Sequence, residues 1–135
     1  MRRNIKLNNI VLKEMKKIYY SKGTEYIDWM GFKIDDINKP SYHHIKKAED
    51  LRKENVSDKA TINNGAYLGK KSHELLHKIE DIDIELYESW NYIFLLINKM
   101  KCYPIEDIWK IIFKLQDKTI NLLKNDKIYK KTRNI

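Results

Sequence analysis

Tyr42-His43-His44-Ile45, Asn63-Asn64-Gly65-Ala66-Tyr67-Leu68 and Ser72-His73-Glu74-Leu75-Leu76-His77 decide the reading of this chain, because they hold all 4 of its histidines. Histidine titrates near neutrality, and its neutral imidazole is the commonest metal ligand. Every copy gathered into one stretch, beside an amide side chain, points to a metal-assisted reaction rather than a scattered surface.

His73 and His77 stand at i and i+4, so on a helix they share a face and can grip one ion. A third ligand must come from elsewhere. The extended stretch before them offers His43 and His44, whose side chains alternate to opposite sides of a strand. One of the pair can ligate while its neighbour does something else. Phosphodiester hydrolysis uses such a division: a metal polarises a phosphoryl oxygen, and a free imidazole takes a proton from water. The free imidazole needs its other nitrogen held, and an amide carbonyl on a neighbouring strand gives Asn64 that role. A His-His pair alone is ordinarily surface, and a helical His-x-x-x-His often is too. The ordered set, with no histidine left over, gives the metal site its weight.

The order His43-His44, Asn64, His73, His77 resembles the HNH endonucleases, the ββα-metal fold, over residues 41–80, and is closest to the all-histidine variety seen in colicin-type DNases. The resemblance implies that His43 is a metal ligand from the first strand and His44 the general base. It implies that Asn64 orients His44 through its side-chain carbonyl, and that His73 and His77 are metal ligands from the helix. Asn63 precedes Asn64, and the spacing to His73 selects Asn64. The chain departs from many HNH proteins in carrying Gly65 where they place Leu, and in having no CxxC zinc knuckle. Three histidines suit one divalent ion such as zinc, manganese, nickel or cobalt better than magnesium, which prefers oxygen. Lys46, Lys47, Arg52, Lys53, Lys70 and Lys71 surround the motif as candidate nucleic-acid contacts, diluted by Glu49, Asp50, Glu54 and Asp58.

Outward from the motif, Leu7, Ile10, Val11, Met15, Ile18 and Tyr19 predict an amphipathic N-terminal helix over 7–20, stopped near Gly23. Tyr26, Trp29, Phe32 and Ile34, broken by Gly31, predict a short strand or hairpin over 25–34. Pro40 sets the chain extended into a strand over 41–45. Residues 46–61 read as a charged loop with one helical turn at 47–53. A second strand follows over 62–68, and Ser72 reads as the N-cap of a helix beginning at His73. Leu75, Ile79, Ile82, Leu86, Trp90, Ile93, Ile97 and Met100 continue that helix, as one long element or as two broken near Asp83. Lys101-Cys102-Tyr103 is a turn, Pro104 suits a helix start, and Ile105, Ile108, Trp109, Ile112, Leu115, Thr119 and Leu122 give a second apolar stripe. The pair predicts an antiparallel helical hairpin over 83–123, with a frayed tail from Lys124. The fold class is therefore α+β, mainly helical: one domain over 1–135, with a ββα-metal core at 41–80, an N-terminal helix and the C-terminal hairpin.

A length of 135 residues with 42% hydrophobic and 11% aromatic content supports one modest core. The single cysteine, Cys102, excludes an internal disulfide. No apolar run approaches the roughly 20 residues that span a bilayer, and no signal-peptide segment is present. These features predict no membrane partner and a cytoplasmic protein of a bacterial host. The formal net charge is +8, concentrated at the ends: residues 1–24 carry seven Lys/Arg against one acid, and 124–135 five against one. Basic ends suit a polyanion such as DNA, through counterion release. Only Arg2, Arg3, Arg52 and Arg133 among the 27 basic residues are arginine, a bias of AT-rich coding that fits a low-GC bacterium or its phage.

The sequence thus leads to a metal-dependent HNH-type endonuclease acting on DNA, from a phage or mobile element. The competing expectation is a phage-encoded binding protein or inhibitor, of anti-CRISPR or anti-restriction type. It would act through a protein partner or homodimer contact on the hairpin.

Overall fold

The histidine pair lies on the first of two short strands, and the other described residues form helices, turns and connecting loops. The computed structural model describes residues 2–46 and 61–133, with side chains over 7–46 and 61–126. Strand β1 (Pro40–His44) pairs antiparallel with β2 (Gly65–Gly69), in a register that sets Pro40 opposite Gly69, His43 opposite Ala66 and His44 opposite Gly65. Four helices complete the described residues: α1 (Arg2–Tyr19), α2 (Lys70–Ile82), α3 (Ile84–Met100) and α4 (Glu106–Arg133). The protein is α+β and mainly helical. None of the described helices is long and apolar enough to cross a membrane.

The segment 25–34 is a turn closed by one antiparallel bridge between Ile27 and Lys33. Gly31 turns it with φ of +86°. Asp28, fully buried, organises it: Oδ1 accepts from the main-chain N–H of Met30 (3.0 Å) and Phe32 (2.9 Å), and Oδ2 accepts from Gly69 N–H at 2.9 Å. One carboxylate therefore ties the turn to the junction between β2 and α2.

That junction differs from the sequence expectation. Helix α2 begins at Lys70, not His73, and Ser72 is buried in its first turn rather than capping it. The cap comes from the loop before β1: Asn38 Oδ1 accepts from Lys71 N–H at 2.9 Å, and Lys39 O accepts from Lys70 N–H at 2.6 Å. A distant partner satisfies the orphan donors, so no local cap is needed. A Cβ at Gly69 would collide with the Asn38 amide, which explains the glycine there.

The long stripe does break at Asp83. Its backbone is extended (φ −147°, ψ 93°), and its carboxylate accepts from Leu86 N–H at 3.2 Å, so Asp83 ends α2 and caps α3. Lys101, in the left-handed region at φ 51°, closes α3. Pro104 stands just before α4 rather than at its first position, with Ile105 O accepting from Ile108 and Trp109 N–H. The expected fraying from Lys124 is not found, and α4 runs to Arg133. After Pro104 the chain contains neither glycine nor proline, so nothing stops it. The second strand is also shorter than expected: Ile62–Asn64 form one 3-10 turn before β2 begins at Gly65.

The core lies between the sheet and the helices. Trp29, Trp90, Phe94, Tyr19, Met15, Leu76 and Ile79 are its large buried side chains. Each contributes about 1.5–3 kcal/mol by leaving water. Helices α3 and α4 join as the predicted hairpin, with Trp90 Nε1–H donating to Thr119 Oγ1 at 3.1 Å. Toward the sheet, α3 presents Asn91, Phe94 and Asn98 along one face. Asn98 accepts from Tyr19 O–H at 2.8 Å and donates to Gly65 O at 2.7 Å, joining α1, α3 and β2 in the core.

Candidate metal centre

Alternation along β1 separates the two adjacent histidines. His43 faces α2 and α3 and is 1% exposed, whereas His44 points the other way and is half-buried, edge-on to the Tyr42 ring at 4.7 Å. On α2 one helical turn brings His73 and His77 together, with ring centroids 4.7 Å apart. The His43 ring lies 5.3 Å from His73 and 5.9 Å from His77, centroid to centroid. One ring nitrogen from each of the three falls within 4.8 Å of the others, close enough to hold a metal ion. Among the described residues the group consists of these three histidines, without cysteine or carboxylate.

Two of the three rings have one nitrogen hydrogen-bonded, and the third has one nitrogen beside a carboxylate. His43 Nε2 lies 2.8 Å from Asn91 Oδ1. An amide oxygen only accepts, so Nε2 carries the proton and Nδ1 keeps its lone pair. His73 Nδ1 lies 2.8 Å from Ser41 Oγ, and His77 Nδ1 lies 3.6 Å from Glu80 Oε1. Outer partners of this kind fix the tautomer and ring orientation of metal-binding histidines. Burial pushes His43 down to about 3, with His73, His77 and His44 adding repulsion against the Asn91 contact. Burial, then His77 and His44, pushes His73 down to about 4. Both rings are therefore neutral at pH 7, the form that ligates.

His44 is also lowered by burial, which leaves it neutral and able to take a proton. Among the described residues its ring makes no hydrogen bond. The expected Asn64–His44 contact is replaced by another. Asn64 Oδ1 accepts from Lys46 N–H at 2.8 Å, and its Nδ2 donates to Lys46 O at 2.9 Å. Ile45 N–H adds a bond to Asn64 O at 2.8 Å. Asn64 thus fixes the main chain leaving His44, and the imidazole is placed through its backbone. Gly65 belongs to this arrangement, since a Cβ there would strike the Tyr42 ring that packs beside His44.

The described candidates among the cationic contacts divide between the two ends of the sheet. Lys46 follows His44 at one end of the sheet, whereas Lys70 and Lys71 follow Gly69 at the other. Lys47, Arg52 and Lys53, with the predicted helical turn at 47–53, lie outside the described residues. Sequence reasoning missed Asn91, Ser41 and Glu80. The one available signal for Asn91 was a short amide set seven residues before Asn98, on a helix otherwise apolar toward the sheet.

No protein-family model matches the chain, and no curated protein or solved structure matches it.

Proposed function

We propose that the protein is a metal-dependent endonuclease that hydrolyses DNA phosphodiester bonds, with a ββα-metal core of the HNH type. The observation that carries the reading is the division between neighbours on β1: His43 joins a three-histidine group, while His44 is turned away from it and left neutral. Closed structural zinc sites usually have four protein ligands, and catalytic ones three with a position open to water or substrate. Three histidines with no fourth protein donor among the described residues fit the open kind. A divalent ion held by His43, His73 and His77 would supply Lewis-acid polarisation of a phosphoryl oxygen. His44 takes the proton of the attacking water on a ring nitrogen. Asn64 holds the Lys46 main chain so that His44 stays in place, and Asn91, Ser41 and Glu80 orient the three ligand rings. The positive net charge favours DNA as the polyanion, and the resemblance implies 5′-phosphate and 3′-hydroxyl products.

Cleavage of supercoiled plasmid with Mg²⁺, Mn²⁺, Ni²⁺ or Zn²⁺, beside His44→Ala and a chelator control, tests this. Metal-dependent nicking by the wild type, reduced at least about 100-fold in His44→Ala, is expected from the loss of a general base. Equal nicking by the variant would overturn the assignment of His44.

A second reading rests on Tyr92, Leu95, Ile111 and Phe113, large apolar side chains exposed on the hairpin. They suit a protein partner or a second copy. That reading predicts biological activity that survives His44→Ala and fails when the hairpin face is made polar.

A further inference from the structure

Beside Asn91, the partner of His43 Nε2, a cleft of about 600 Å³ opens between the end of β1 and α3. Its size lies within the roughly 300–1,000 Å³ of small-ligand sites. Lys46 stands at one wall, and Glu88, Asn91, Tyr92 and Leu95 line the other, one face of α3, with Tyr87 among them. We propose that this cleft takes an unpaired nucleobase of the DNA strand being cut, stacked on Tyr92. The inference rests on the nuclease reading and narrows its substrate to single-stranded or locally unpaired DNA.

Four observations converge on a base rather than a generic apolar group. Tyr92 is 62% exposed although it lines a cleft, so its ring is open to a stacking partner. Stacking on such a ring accepts any base and requires that the base be out of its duplex. Asn91 spends its oxygen on His43, and among the described residues its Nδ2 makes no hydrogen bond, which leaves amide hydrogens for a base edge. The Glu88 carboxylate adds an acceptor suited to an exocyclic amine. Finally, the wall begins one residue past His44, at Ile45 and Lys46, and its Asn91 touches His43, so the cleft adjoins the histidine pair of β1. Lys46 brings positive charge to that backbone. Asn91 is at once the partner of a metal ligand and part of the cleft wall, which joins the two sites physically.

The test measures binding of a short fluorescent single-stranded DNA, and of the blunt duplex of the same sequence, to His44→Ala protein. Tyr92→Ala and Tyr92→Phe are then added to that background. Tyr92 is exposed, so neither change threatens the fold. The parent should prefer the single strand. Tyr92→Ala should weaken single-strand binding about fivefold to a hundredfold, the equivalent of about 1–3 kcal/mol per stacked base, with little effect on duplex. Tyr92→Phe should stay within about twofold, because the ring is kept. Equal single-strand affinity in Tyr92→Ala, or a parent that prefers intact duplex, overturns the cleft assignment. Plasmid nicking by the wild type alongside that result leaves the nuclease standing. Tyr92-dependent binding by a protein whose wild type fails to nick with any of the four metals removes the nuclease and keeps the cleft as a nucleic-acid site. Absence of binding to either DNA overturns both.

Discussion

The strands and α2 carry the histidines of this molecule, and α3 carries side chains that hold them in place. The first region holds all four histidines within a short span, two on β1 and two on α2. The second holds none, yet Asn91 fixes the His43 ring, Asn98 fixes Gly65 opposite His44, and Phe94 packs edge-on to His43 at 5.8 Å. A two-stranded sheet with one helix has little core of its own. The ligands can therefore be close in sequence, but their orientation has to be bought from a helix further along. A histidine constellation and the frame that holds it need not share a stretch of chain.

The largest effect should come from breaking the junction on which both regions depend. Asp28→Ala would strip three main-chain N–H groups, two of them buried, of their acceptor at once. A loss of about 3–5 kcal/mol is expected in denaturant unfolding. Asp28→Asn keeps one oxygen and should lose less.

Next is a ligand on the first region alone. His77 is the most exposed of the three, with about half its side chain open (52%). His77→Ala should lower zinc affinity more than about 100-fold by calorimetric titration, since even outer-shell changes cost about 10–100-fold. Its unfolding free energy without metal should stay within about 0.5 kcal/mol of the wild type. A loss of metal-free stability instead would make this histidine part of the frame.

The matching change on the second region is Asn91→Leu, which removes the acceptor for His43 Nε2–H. Metal affinity should fall about 10–100-fold, while Asn91→Asp should keep or tighten it. Identical affinities in all three proteins would separate α3 from the site.

Acid titration gives a graded contrast, one pH unit at a time, rather than a single step. His43 and His73 have folded pKa values near 3 and 4, below the unfolded 6.5. Between those limits the unfolded chain binds more protons, so stability without metal falls as pH drops from about 6.5 toward 4 and is flat above pH 7. The slope should approach about 1.4 kcal/mol per pH unit for each histidine, measured by denaturant midpoints across that range. His43→Gln should flatten it.

The sequence made periodic and spaced features legible. The apolar stripes located the hairpin, a break near Asp83 was one of the two readings the stripe allowed, and His73 and His77 declared themselves by their spacing of four. Alternation on a strand correctly parted His43 from His44. What stayed hidden was contact across sequence distance. Asn91 reaches His43 over 48 residues, Asp28 reaches Gly69 over 41, and Asn38 caps α2 over 33. An asparagine or aspartate with a remote backbone partner looks, in sequence, like any loop or surface residue. Ser72 misled for the same reason, because a good local cap is outcompeted when a distant amide already satisfies the helix end. Asn64 was found, but its amide closes on the Lys46 main chain instead of the His44 ring.

The central claim is that two adjacent histidines have separate duties. One titration decides it: zinc binding to His44→Ala and to His43→Ala, each followed by plasmid nicking on the same sample. The account predicts that His44→Ala binds one ion with affinity within about threefold of the wild type and does not nick, whereas His43→Ala loses both. Loss of metal from His44→Ala, or nicking that survives in it, would contradict the division.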